Sequence, residues 1–298
     1  MTPSLAQGLN AQSGWFWLLV AGLLGLAIGS FINVVIVRLP RMMNAEWHRA
    51  AADITGTAPP EDAETRVSLA WPPSACPLCD ARLKPWHNVP VLSFVALRGR
   101  CHACRQRINV LYPLVELMAA AVCLLAVWHF GPTPAALGAV ILGLLLLPAA
   151  MIDARTYLLP DSLTLAALWA GLLASLGHAY GVSSVTPAAA IAGAALGYTA
   201  LWILERGFYL VTGRRGMGQG DFKLTAALCA WLGPSGLPLI LFLAACLGLA
   251  ASAVLALSGR MDSARRIAFG PWLAFAGWIG FMYGPELIGA YTAATGLQ

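Results

Sequence analysis

Residues 14–37 pass without one charged side chain, and seven further stretches are nearly as apolar: 110–130, 135–153, 162–180, 187–211, 222–234, 237–258 and 268–292. A helix needs about 20 mostly apolar residues to cross a bilayer. In hydrocarbon every backbone N–H and C=O must find its partner inside the segment, which leaves helices as the spanning element for runs of this kind. The expected fold is therefore an all-α polytopic membrane protein with about eight transmembrane helices, the sixth being short. Composition agrees: 59% of the 298 residues are hydrophobic and 10% are charged, against roughly 25% charged in soluble domains. Residues 14–37 read as a permanent span, because the apolar run is too long for a removable signal and no basic segment precedes it.

Lysine and arginine set the expected orientation. The stretch 38–108 carries ten: Arg38, Arg41, Arg49, Arg66, Arg82, Lys84, Arg98, Arg100, Arg105 and Arg107. Further along, Arg155 lies near 154–161, Arg214 and Arg215 in 212–221, and Arg260, Arg265 and Arg266 in 259–267. The turns near 130–134, 181–186 and 235 hold none. Basic and uncharged connections alternate, so eight spans place 38–108 in the cytoplasm and both termini outside. The net charge of +5 follows this topology rather than any affinity for nucleic acid. Three parts are expected: a first span at 1–38, a cytoplasmic domain at 39–109, and a seven-span core at 110–298. Residues 45–75, rich in Ala, Pro, Glu, Asp and Thr, read as a flexible insertion, and no internal repeat is apparent.

Cys76-Pro77-Leu78-Cys79 and Cys101-His102-Ala103-Cys104 form a CxxC…CxxC pattern spaced as in zinc ribbons. Four thiolates complete a tetrahedral shell for Zn²⁺, and a closed shell is structural. A cytoplasmic loop disfavours disulfides. His87 and His102 read as solvated loop residues. Cys123, Cys229 and Cys246 lie singly in apolar segments and read as small buried hydrophobes.

Asp153 and Asp221 stand at the edges of apolar stretches, where a carboxylate is costly and invites a functional hypothesis. The inferred topology puts both on the cytoplasmic face at one depth. Two adjacent carboxyl groups can share a proton: one takes a proton from water while the other donates to a peptide carbonyl oxygen. The structural alternatives are a helix end with Asp153 paired to Arg155, and Asp221 as an N-cap. Asp161, just after Pro160, reads as the N-cap of the fourth span. Glu116 reads as a helix-start charge at the interface, and Lys223 either acts on Asp221 or snorkels. Neither a Gly-x-Ser-x-Gly elbow, nor a His-Glu-x-x-His zinc motif, nor a Gly-rich phosphate loop is present.

These residues, in order, resemble the bifunctional type IV prepilin peptidases, the leader peptidase/N-methyltransferases of the GxGD aspartic type. The matching segments are 29–40 (GSFINVVIVRLP), the cysteine quartet with 88–93 and 98–100 inside it, 112–116 (YPLVE), the Asp153 segment, 218–223 (GQGDFK) and 269–271 (FGP). The resemblance implies a bacterial inner-membrane enzyme that removes the leader of prepilins or type II secretion pseudopilins on the cytoplasmic side. It would then methylate the new N-terminus with S-adenosylmethionine. It also implies that Asp153 and Asp221 are catalytic, that Cys76, Cys79, Cys101 and Cys104 bind metal, and that the cysteine domain is linked to methyl transfer. The main alternative is an ion- or proton-coupled transporter with a structural zinc domain, although these acids lie at span edges rather than at the midplane where transporter sites sit. A non-enzymatic docking scaffold would leave the GxGD segment unexplained.

Overall fold

A computed structural model describes residues 14–57, 67–76, 78–181, 183–258 and 268–295. All regular elements among them are helical, apart from two isolated antiparallel bridges. The helices are α1 Gly14–Thr55, α2 Leu92–Ala96, α3 Leu111–Phe130, α4 Pro134–Thr156, α5 Asp161–Leu176, α6 Pro187–Thr212, α7 Gln219–Leu232, α8 Gly236–Leu257 and α9 Gly270–Thr295. Each of the eight apolar stretches is helical. Five of the helices (α1, α3, α4, α6 and α8) are long and apolar enough to cross a membrane. Of the others, α5 has 16 residues and α7 has 14. In α9 the length suffices, but glycines, tryptophans and Glu286 dilute its apolarity.

Local sequence sets the helix ends. Thr133 precedes Pro134, and its side chain accepts from the Ala136 N–H. Thr186 does the same before Pro187, accepting from Ala189. A hydroxyl at the cap satisfies one of the orphan amides, while proline at the first helical position lacks the N–H that would have needed a partner. Gly213 closes α6 in the left-handed conformation, the usual helix stop.

The chain divides into two compact units, Met1–Trp128 and His129–Gln298. In the first, α1 departs from expectation. It continues past residue 37 through Pro40 to Thr55, so residues 45–55 are helical rather than part of a flexible insertion. The alanine-rich composition of that stretch favours helix once a nucleus already exists upstream. Arg38 anchors the return of the chain: its guanidinium donates to the carbonyls of Ser68 at 3.0 Å, Leu69 at 3.3 Å and Pro72 at 2.6 Å. Residues 58–66 lie outside the described residues.

In the second unit α7 is the buried centre. From Asp221 to Trp231 every residue except Lys223 is buried, against α5, α6 and α9. Its shortness follows: a helix sheathed by other helices need not expose an apolar length matched to lipid. The Trp231 indole N–H donates to the Ala167 carbonyl of α5 at 2.9 Å, and Trp278 of α9 donates to Ala139 of α4 at 3.1 Å. Both bonds satisfy polar handles on large rings, Trp231 buried and Trp278 partly so. The outer helices show the opposite pattern. On α6 and α8, Val211 (87% exposed) and Leu249 (72%) face outward, as side chains against lipid do. Cys123 and Cys229 are buried, but Cys246 on α8 is exposed. Its expected burial fails because periodicity in a wholly apolar helix does not distinguish a protein-facing from a lipid-facing side.

Candidate active site and metal centre

Asp153 lies in the last turn of α4 and is 6% exposed; Asp221 lies in the first turn of α7 and is 8% exposed. The Asp153 Oδ2 accepts the backbone N–H of Gly270 at 3.1 Å. Gly270 is the first residue of α9, so this amide is one of the helix's orphan donors and the helix dipole favours a carboxylate there. Asp153 therefore bonds across the fold, not to Arg155. The Asp221 Oδ2 accepts the Gly218 N–H at 3.3 Å, the reaching-back half of a capping box. Asp221 thus sits inside α7 rather than at its cap, and Thr225 Oγ1 donates to its carbonyl at 2.8 Å.

One side chain ties the two acids together. A Cβ at Gly220 would lie 2.6 Å from Leu159 Cβ; a Cβ at Gly270 would lie 3.0 Å from Leu159 Cδ1 and 2.5 Å from Asp153 Oδ2. Only glycine allows such approach at both places. The Asp153 and Asp221 carboxyl groups are close enough for the charge of one to act on the other. Each uses its Oδ2 to hold a backbone amide.

Two nearby charges behave otherwise than expected. Asp161 is the first residue of α5, with Pro160 at the cap and no capping hydrogen bond. Its carboxylate instead takes Lys223 Nζ at 2.7 Å on both oxygens. Lys223 is neither snorkelling nor bound to Asp221; it pins the start of α7 to the start of α5. Glu116 is also buried, not an interfacial charge, and its Oε2 accepts the Val91 N–H at 2.8 Å.

The four cysteines converge as expected. Cys76, Cys79, Cys101 and Cys104 place their sulfurs within 4.8 Å of one another, and the cluster can hold a metal ion. All four are free thiols. They stand on two turns of one design, offset by 25 residues. In the first, the amides of Cys76, Asp80 and Leu83 donate to Ala81, Cys76 and Ser74; in the second, those of Cys101, Arg105 and Ile108 donate to Gln106, Cys101 and Gly99. The bridges Ala75–Arg82 and Arg100–Arg107 complete the pair. This is a short internal repeat that the sequence hides, since beyond the cysteines only Arg82/Arg107 and the apolar Leu83/Ile108 correspond. Asp80 and Arg105, each just after a second cysteine, have φ of 53° and 59°, the left-handed corner of a metal knuckle. Hydrogen bonds from the Cys104 and Ala103 amides hold the Cys101 thiol down at about 6. Cys79 accepts the Ala81 amide, yet desolvation and the other three sulfurs push it up to about 12. Crowded thiols without a cation cannot all ionise, and a metal is what removes that conflict. His87 and His102 are not separately solvated: their rings face each other at 4.5 Å, and His102 Nδ1 is buried without a partner.

Comparison with known proteins decides the relationship. The profile of the bacterial peptidase A24 N-terminal domain matches residues 23–130, and that of the type IV leader peptidase family matches 139–253. A prepilin leader peptidase/N-methyltransferase of Dickeya chrysanthemi is 44% identical over 266 residues, covering 89% of this chain and 92% of that protein. The chain belongs to the type IV leader peptidase family. Relatives of the same description include one from Burkholderia pseudomallei (strain K96243), 46% identical over 84% of this chain and 80% of its own length. Another, from Neisseria gonorrhoeae, is 41% identical over 85% of each chain. No solved structure matches the chain. Both acids fall inside the leader peptidase match and all four cysteines inside the N-terminal match. None of the relatives named here is a transporter.

Proposed function

We propose that this protein is a bacterial membrane aspartic endopeptidase that removes the leader from prepilins or type II secretion pseudopilins and then N-methylates the product. The observation that supports the peptidase reading is the convergence on Leu159 of Gly220, next to Asp221, and Gly270, bonded to Asp153, neither of which tolerates a Cβ. Water held between the carboxyls loses a proton to the ionised one and attacks the scissile carbonyl carbon, while the other donates its proton to the carbonyl oxygen. Collapse breaks the C–N bond, and the departing amine takes a proton back from the dyad. Gly270 and Gly218 amides fix the carboxylate orientations before substrate arrives, as preorganised donors do.

The cysteine cluster fits structural zinc. Tetrahedral Zn–S bonds of about 2.3 Å require sulfurs roughly 3.8 Å apart, and Cys76 Sγ lies 3.9 Å from Cys104 Sγ. Zinc so bound stabilises the fold of a segment, roughly 39–109, that has little core of its own. S-adenosylmethionine supplies the methyl group in the second reaction. In charge, Glu116 suits a cationic amine or sulfonium, being the buried carboxylate of the first unit among the described residues. Eight crossings of the inner membrane, with the cysteine segment and both aspartates toward the cytoplasm, complete the reading; the alternating basic connections support it.

Co-expression with a tagged prepilin tests it. Asp153→Asn and Asp221→Asn should each lower leader removal by roughly 10²–10⁴-fold while the protein still inserts and binds zinc. Mass measurement of the product should show one added methyl group with the wild type. Normal processing by both variants would refute the dyad.

A further inference from the structure

The segment between the two knuckles touches α1 and α3, two of the helices long and apolar enough to cross a membrane. Ser30 Oγ of α1 approaches the Asn88 carbonyl at 3.5 Å, and Ser30 precedes Arg38, the first charge after the span, by about 12 Å of helix. The Val91 amide is fixed by Glu116 in the second turn of α3. Val91 itself has φ of 57°, rare for a β-branched residue and held there by that bond. This turn launches α2, whose five residues include no buried one. Trp86 (61%), Leu92 (68%) and Val95 (65%) are exposed within four residues of those two contacts. Exposed apolar side chains beside the end of a charge-free helix suit a lipid boundary better than water. Next along the chain, Arg98, Arg100 and Arg105 line a cleft of about 630 Å³. None of the three has a carboxylate partner among the described residues.

We propose that residues 85–105 form an interfacial site for an anionic phospholipid. Arg98, Arg100 and Arg105 take the headgroup phosphodiester, and Leu92 and Val95 lie along the acyl chain. The pairing of an apolar wedge with adjacent cations is what the boundary of an anionic bilayer selects, and guanidinium forks match phosphate oxygens. The site is independent of the peptidase reading, because it uses neither aspartate.

Full-length protein released from nanodiscs of equal phosphatidylglycerol and phosphatidylcholine, weighed by native mass spectrometry, tests it. Wild type should retain phosphatidylglycerol in preference. The triple change Arg98→Gln, Arg100→Gln, Arg105→Gln should weaken that preference by roughly a hundred-fold, at about five-fold for each basic residue near an anionic surface. The corresponding triple change to Lys should keep most of it, and Leu92→Ser with Val95→Ser should shorten retention of either lipid. Zinc content should be equal throughout. Unchanged lipid retention in the glutamine variant would overturn the proposal. So would displacement of the lipid by millimolar inorganic phosphate, which would make this a free-anion pocket. Loss of zinc together with lipid would overturn it too, assigning the arginines to the thiolate cluster.

Discussion

At the scale of single residues, Gly270 is the constraint that bears directly on an acid. A methyl group there would stand 2.5 Å from the Asp153 carboxylate oxygen and 3.0 Å from Leu159. Gly270→Ala should therefore displace Asp153, costing about 1–3 kcal/mol of stability as overpacking does and nearly abolishing leader cleavage. Gly289→Ala, which meets nothing within 4 Å, is the matched control and should leave both unchanged. Thermal unfolding in detergent alongside a cleavage assay checks the pair. The cysteines make a second prediction. Without metal, Cys101 is held at about 6 and Cys79 at about 12. At neutral pH, Cys101 is already a thiolate, whereas Cys79 must release a proton when zinc binds. Zinc uptake should therefore acidify an unbuffered solution, and affinity should fall as pH drops from 8 to 5 and Cys101 becomes protonated too. Titration with a competing chelator across that range measures it, and Cys76→Ser should bind weakly at every pH.

At the scale of elements, α5 and α7 begin side by side and are joined there by Lys223 and Asp161. The side chains are 29% and 59% exposed, so water screens the pair and its net worth is at most about 1 kcal/mol. Its consequence is geometric, since Lys223 is two residues from Asp221. Lys223→Asp alone should place two acids together and reduce cleavage with little loss of melting temperature. Adding Asp161→Lys should restore much of the activity by rebuilding the bond in reverse. If the double change is as poor as the single one, the bond does not position α7. Much of this scale was legible in sequence: hydropathy located the eight apolar helices, though not α2. The extent of α1 was not, because alanine-rich polar sequence is compatible with helix or loop until an adjoining helix nucleates it. The partner of Asp161 was not legible either. An acid after proline looks like a cap, and only packing brought a lysine from 62 positions away.

For the whole molecule, the alternation of basic and uncharged connections predicts that 39–109 and 212–221 share one side of the membrane and that both termini share the other. Impermeant labelling of single reporter sites in intact cells, or reporter fusions at those positions, should give that pattern. An odd number of crossings in total would place the termini on opposite sides, and only an odd number between residues 153 and 221 would separate the two acids across the bilayer. The two compact units divide at Trp128, so α3 belongs with α1 and the cysteine segment rather than with the helices carrying the acids.

Sequence by itself determined the helical membrane class and singled out the four converging cysteines and the two buried acids, because each is written in local terms: charge-free runs, a fixed cysteine spacing, and carboxylates at the edges of apolar runs. The tertiary structure alone decided that Gly270 grips Asp153, that Leu159 packs against both Gly220 and Gly270, and that Glu116 is buried beneath a strained turn. Those relations are steric contacts between distant segments, and a steric contact leaves no mark on composition or periodicity; it exists only once the helices have been laid against one another.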